Sequence, residues 1–271
     1  MRNLLILLAL MSCMLLGAQT VQKAPAENYE LKAGHLSMTI DAANGARITS
    51  FKYDGQEVLS QMNQPNMYGS TFWTSPQKVW NWPPIVEHDM LPYAAVQQGN
   101  SILMTSQVPL KLPLRITKQF TADPFRECMI VTYTIKNEGK EACQVAPWEI
   151  TRVPAEGTIT FQAQADGIWP AGLMDFKQDG ELVSYEIDQR ENQRKINVNG
   201  TGWIRYEHNG LVFTRCFQDL ATGQPAPGED EIQVYVHNGK AYVELEGQGA
   251  YTRLEPGSSL HWTVRWFLQP R

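Results

Sequence analysis

The chain has 271 residues, 43% of them hydrophobic, and a formal net charge of −5. That length can bury one large core, and all-β single domains commonly reach this size. The acidic balance, with no Lys/Arg run beyond isolated pairs, excludes a nucleic-acid backbone as a partner.

The N-terminus reads as a targeting segment. Arg2 supplies a short positive region, Leu4 to Leu16 an almost unbroken apolar run, and Gly17-Ala18 small residues for cleavage, so residues 1–20 are expected to be a signal peptide. The protein is then exported, to the periplasm or beyond the cell. The apolar run is too short for a membrane span. Leu10-Met11-Ser12-Cys13 resembles a bacterial lipobox, which would put a lipid anchor on Cys13; because the run continues to Leu16, cleavage near Ala18 or Thr20 is the other reading. Cys128, Cys143 and Cys216 form no CxxC pair and are odd in number, so they read as small buried apolar residues with at most one bridge.

Residues 21–28 form a short polar linker, and residues 29–271 a single domain in which period-2 segments hardly stop. Leu36 to Ile40 alternates, Asn44-Gly45 turns, Ala46 to Phe51 alternates, and Asp54-Gly55 turns again. Asn-Gly and Asp-Gly accept positive φ in tight hairpins, and they recur at Asp179-Gly180, Asn199-Gly200, Asn209-Gly210 and Asn238-Gly239.

Gly69 to Pro84 interrupts this pattern. It holds Trp73, Trp80 and Trp82 among Pro76, Pro83 and Pro84, which excludes a regular helix and reads as a loop rather than a strand. Indoles here serve one of two ends: wedging the open end of a β-sandwich, or stacking on the C–H face of a sugar. His88, between Glu87 and Asp89 just beyond, reads as solvated.

Met129, Val131, Tyr133 and Ile135 share one face of a long strand, and Asn137 to Lys140 turns it back into Cys143 to Val153. In that returning strand Ala146, Trp148 and Ile150 point one way and Glu149 and Thr151 the other, while Pro147 marks a bulge or an edge. Further strands follow at Gly210–Phe217, Glu231–His237, Ala241–Gln248 and Leu260–Leu268. No stretch holds a sustained helical period, so the class is all-β, a sandwich of large antiparallel sheets.

The strand from Tyr242 to Gly249 carries the chemistry. Alternation buries Val243 and Leu245 and gathers Glu244, Glu246 and Gln248 on the opposite face, about 7 Å from neighbour to neighbour. Two carboxylates and an amide in one row can read sugar hydroxyls, and like charges this close raise the pKa of one of them; a plain solvated face is the alternative. Arg152, Arg205, Trp148 and Gln77 are further candidate contacts, Arg152 equally suited to pairing a buried acid. His208 and His237 precede Asn-Gly turns and are expected at exposed hairpin tips, His35 in an early turn and His261 on an outer face. No histidine pair has metal-ligand spacing, and no GxGxxG, GxxxxGK[ST] or GxSxG motif occurs, so no metal or cofactor is expected.

These segments together resemble the aldose 1-epimerases, or galactose mutarotases. Asn44-Gly45-Ala46-Arg47-Ile48 and Asp54 to Leu59 look like that family's first hairpin, the hairpin around Asn137 like a later one, and Leu245-Glu246-Gly247-Gln248 like its C-terminal Leu-Glu-x-Gln strand. The Trp-rich stretch and Ala146-Pro147-Trp148-Glu149 look closer to exported bacterial proteins of the same superfamily. The resemblance implies a β-supersandwich, a saccharide ligand, and Glu246 as the base that takes the anomeric proton. The family's histidine acid has no counterpart at Ala146 to Glu149, which leaves Glu149 or His88 as substitutes. Three functions stand: an exported carbohydrate-binding protein without standard mutarotase chemistry, an epimerase-like sugar-modifying enzyme using Glu246, or a structural or partner-binding envelope protein.

Overall fold

A computed structural model describes residues 28–62 and 67–271. The expected signal peptide, Cys13 and nearly all of the linker lie outside these residues, and Asn28, read as linker, already opens the first strand. The strands in the N-terminal half are β1 (Asn28–Ala33), β2 (Leu36–Asp41), β3 (Arg47–Tyr53), β4 (Gln56–Glu57), β5 (Ser70–Ser75), β6 (Ala94–Gln98), β7 (Ser101–Thr105), β8 (Leu114–Asp123) and β9 (Cys128–Asn137). The middle contributes β10 (Cys143–Val153), β11 (Thr158–Gln162), β12 (Phe176–Asp179), β13 (Leu182–Glu186) and β14 (Arg194–Val198). The chain closes with β15 (Trp203–His208), β16 (Leu211–Cys216), β17 (Ile232–Val236), β18 (Val243–Gln248), β19 (Thr252–Leu254) and β20 (Ser259–Pro270). One four-residue helix, α1 (Val86–Asp89), follows the Trp-rich stretch. No helix among the described residues is long and apolar enough to cross a membrane.

Two large antiparallel sheets face each other. The first runs β1-β2-β3-β5-β10-β18-β17-β14, with β4 on β3 and β19 on β10; the second runs β12-β13-β11-β15-β16-β20-β9-β8-β7-β6. The alternation read from the sequence supplies the filling: Met129, Val131, Tyr133 and Ile135 of β9 and Trp262, Val264, Trp266 and Leu268 of β20 are all buried. Opposite them stand Met38, Phe51, Phe72 and Leu245 of the first sheet. Phe72 stacks on Tyr133 at 4.1 Å and Phe51 meets Trp266 edge-on at 5.4 Å, so the sheets interdigitate. Each such side chain contributes about 1.5–3 kcal/mol by leaving water.

The Asn-Gly and Asp-Gly turns mostly close hairpins. Asn209 and Gly210 take φ of 48° and 75° between β15 and β16, a conformation most residues resist. Asn199-Gly200 is the exception, because β14 and β15 lie in different sheets and the chain crosses between them there. Cys128, Cys143 and Cys216 are free thiols.

Three expectations about the middle of the chain need correction. β9 and β10 do not form a hairpin: β9 pairs with β8 and β20, whereas β10 pairs with β5 and β18 in the other sheet. Period-2 alternation tells which face a residue takes but not which sheet a strand joins. The Gly69–Pro84 stretch is not all loop, since its first third is β5, a strand with every residue buried; only the part beyond Ser75 is irregular. Its prolines lie outside that strand, which is why the strand survives them. Pro147, finally, sits where β10 exchanges β19, paired through Val145, for β18, paired from Trp148, so its missing N–H falls at a change of neighbour.

Candidate functional site

β10 lies between β5 and β18, and its even-numbered residues face away from the sandwich interior. A cleft of about 380 Å³ opens on that outer face. Trp73 of β5, Trp148 and Arg152 of β10, Glu244 and Glu246 of β18, Tyr235 of β17 and Lys195 of β14 line it, with His237, Tyr242, Gln193 and Met67 at one side and Gln77 and Trp82 at its rim. A broader depression of about 490 Å³ beside Pro154, Glu156 and Lys240 has no aromatic wall and no comparable set of paired charges.

The floor is built from two ion pairs. Arg152 Nη2 reaches Glu244 Oε1 at 2.8 Å, and Lys195 Nζ reaches Glu246 Oε2 at 2.9 Å. Trp148 Nε1 donates to the same Glu246 oxygen at 2.8 Å, with the Lys195 ammonium 4.9 Å from the indole centre. Burial pushes the Glu246 carboxyl up to about 7; Lys195 opposes the shift and Glu244 adds to it. Burial, with Glu244 nearby, also pushes the Tyr235 hydroxyl up to about 12. Two sets of atoms stay unpaired on this floor: Nε and Nη1 of Arg152, and Oε1 of Glu246, all buried.

The tryptophans divide between both readings. Trp73 packs edge-on against Trp148 at 5.4 Å, Trp80 at 5.8 Å and Trp82 at 6.1 Å. Trp73, Trp80 and Trp148 are buried with Ile150 in a satellite core, and their ring N–H groups are all committed: to Asp89 Oδ1, to the Thr74 carbonyl and to Glu246. Trp80 is a wedge and does not line the cleft, contrary to the expectation that it contacts a ligand. Trp82 differs, with 58% of its surface exposed at the rim.

Glu149 and His88, expected as substitute acids, both lie elsewhere. Glu149 is fully buried in the sandwich interior, where Oε1 accepts from Arg215 Nη1 at 2.7 Å and Oε2 from the Tyr133 hydroxyl at 2.6 Å. With Trp148 and Arg152 facing outward, alternation turns Glu149 inward. His88 is not solvated: it is 2% exposed in α1, its Nε2 lies 2.9 Å from the Leu114 carbonyl, and burial pushes its pKa down to about 4. Its neighbour Asp89 matters more to the cleft, accepting from Trp73 Nε1 at 2.9 Å, Thr71 Oγ1 at 2.5 Å and Arg47 Nη2 at 3.2 Å. Gln248 shares the face of Glu244 and Glu246 but not the cleft; its amide donates to Glu229, which also accepts from Ser75 Oγ and the Gln77 backbone N–H. Arg205 belongs to the second sheet, 5.5 Å from the Trp203 ring.

Lys195, Tyr235 and His237 were not legible as site residues, whereas Tyr242, two residues before Glu244 on the same face, was. Lys195 and Tyr235 alternate out of their strands as plainly as Glu244 does, but only the strand order brings them beside it. His237 is half-buried, 4.6 Å from the Tyr242 ring, rather than exposed at a hairpin tip.

No family model matches the chain, and no curated protein does. Solved structures do. A candidate aldose 1-epimerase from Escherichia coli K12 superposes with a TM-score of 0.67 at 16% identity, over 90% of this chain and 99% of its own. A galactose mutarotase-like protein from Lactobacillus casei gives 0.62 at 11% identity, over 89% and 100%. A candidate mutarotase from Salmonella typhimurium gives 0.55 at 11% identity, over 89% and 90%. At such identities the likeness establishes architecture alone: the chain folds as a galactose-mutarotase-like β-supersandwich.

Proposed function

We propose that the protein is an exported carbohydrate-binding protein and that its saccharide sits in the cleft above β10 and β18. One observation carries this reading. Arg152 and Glu246 line the cleft, both are buried, and each keeps polar atoms without a partner, donors on one and an acceptor on the other. Leaving such an atom unpaired costs about 1–3 kcal/mol, which a polar ligand in the cleft would offset. A row of hydroxyls, each both donor and acceptor, meets both needs at once. The Trp73 and Trp148 walls complement the C–H faces of the same molecule. Saturation-transfer NMR with glucose, galactose and their oligomers tests the reading: transfer to the sugar that disappears in Arg152→Ala supports it, and silence across the panel refutes it.

A second reading has its own support. A carboxyl raised to about 7, with a free oxygen, suits a general base near neutrality, and Lys195, 2.9 Å from its other oxygen, can give a proton. This is an epimerase-like enzyme with Glu246 as base and an acid other than Glu149 or His88. Anomer exchange of freshly dissolved α-glucose and α-galactose, followed by proton NMR, tests it: acceleration that reverts to the buffer rate in Glu246→Gln supports catalysis.

A further inference from the structure

The cleft floor repeats one unit twice. At the first station Arg152 pairs with Glu244, the guanidinium 5.4 Å from the Tyr242 ring; at the second Lys195 pairs with Glu246, the ammonium 4.9 Å from the Trp148 ring. Each is a carboxylate and a cation held against an aromatic face, the set of groups that recognises one ring bearing hydroxyls. Glu244 and Glu246 are two residues apart on β18, which separates the stations by about 7 Å. From Trp73 on β5 to Lys195 on β14 the lining crosses five neighbouring strands, about 19 Å between the outermost backbones. The volume, about 380 Å³, falls among pockets that hold drug-sized ligands, well beyond the dozen heavy atoms of a hexose. At the rim, against Trp73, stands Trp82, more than half exposed and making no hydrogen bond among the described residues, its ring fixed only by that edge contact.

We infer that the ligand is an oligosaccharide of at least two linked rings, one at each station, with Trp82 as the platform for a ring nearer the rim. This rests on the saccharide reading of the cleft and specifies its substrate class. A stacked ring contributes about as much as an aromatic pair, up to roughly 1.5 kcal/mol, or about tenfold in affinity.

The experiment uses the purified protein on a printed array of mono- to hexasaccharides of defined linkage. The tightest binder is then titrated calorimetrically beside its own shorter fragments, with wild type and Trp82→Ala. Expected are hits confined to two or more rings, a loss of tenfold or more on trimming the hit to one ring, and about a tenfold loss in Trp82→Ala for the longest ligand. Trp82 is exposed, so the variant should keep its fold, which circular dichroism verifies. A monosaccharide that binds as tightly as its oligomers overturns the inference and leaves the saccharide reading standing. Equal losses for short and long ligands in Trp82→Ala overturn the outer platform. An array without any hit overturns both.

Discussion

Replacing Glu246 by Gln should make the protein more stable, and increasingly so as pH rises. The Glu246 carboxyl is fully buried and titrates near 7 in the folded chain, against 4.5 when exposed. A raised pKa means that the folded state holds its proton more tightly than the unfolded state. The stabilisation is therefore complete below 4.5 and is lost as pH climbs to about 7. From pH 5 to pH 8 about two units of that window are crossed, at about 1.4 kcal/mol each, so wild type loses roughly 2–3 kcal/mol from this group. Gln keeps an acceptor for Trp148 and Lys195 but cannot ionise, so it does not follow. Urea unfolding of both proteins at pH 5, 6, 7 and 8 isolates the effect of Glu246 together with its coupled neighbours Glu244 and Lys195, since the more distant titrating groups cancel in the difference. A gap that widens by about 2–3 kcal/mol in favour of the variant is expected. A gap that stays flat, or widens the other way, would mean that Lys195 outweighs burial and that Glu246 is an ordinary ionised carboxylate. A carboxylate kept at this expense to the fold fits a group retained for its ligand.

Three further outcomes follow from the packing. Arg215→Met leaves Glu149 in the interior with only the Tyr133 hydroxyl, and should lower unfolding free energy by about 3–5 kcal/mol, against about 1–3 kcal/mol for Tyr133→Phe; equal losses in denaturant melts would refute this ranking of the two partners. Trp148→Ala opens a cavity under Glu246 and should cost about 3–5 kcal/mol, whereas Trp82→Ala at the rim should stay within about 0.5 kcal/mol by the same melts. Gly45→Ala would put a Cβ 2.2 Å from the Asp89 carbonyl oxygen at a φ of +66°, whereas Gly55→Ala at +85° meets nothing within 4 Å. The second should pay only the left-handed penalty of about 1–2 kcal/mol; the first should cost more and disturb Trp73 fluorescence, because Asp89 holds that indole.

The sequence displayed faces well and neighbours poorly. Alternation in β18 placed Glu244 and Glu246 together, and they do share the cleft, because a strand's two faces follow from period 2 without knowledge of anything else. The same rule separates Glu149 from Trp148, and assigning Glu149 to the cleft overlooked it. Strand order is non-local: that β14 and β17 flank β18, and that β9 and β10 part company, depends on contacts far apart in sequence. Lys195 and Tyr235 were hidden for that reason, whereas Tyr242, two residues before Glu244, follows from the same alternation. His88 was misread because its flanking acids suggested water, whereas α1 tucks it beneath β8 to meet the Leu114 carbonyl. The Trp-rich stretch was half legible: its prolines announced irregular backbone, but they begin only where β5 has ended.

β10 presents Trp148 and Arg152 to the cleft and, on alternate residues, Glu149 and Thr151 to the interior network with Arg215. One backbone thus serves two unrelated constraints, and an insertion or slip that re-aimed the outer residues would turn the inner ones out of their bonds. The floor can accept side-chain exchanges but no changes of length. New ligand preferences in relatives should arise instead on the rim, in the stretch from Pro76 to Pro84 and in the turn after β17, where residues can be gained or lost without touching the sheets.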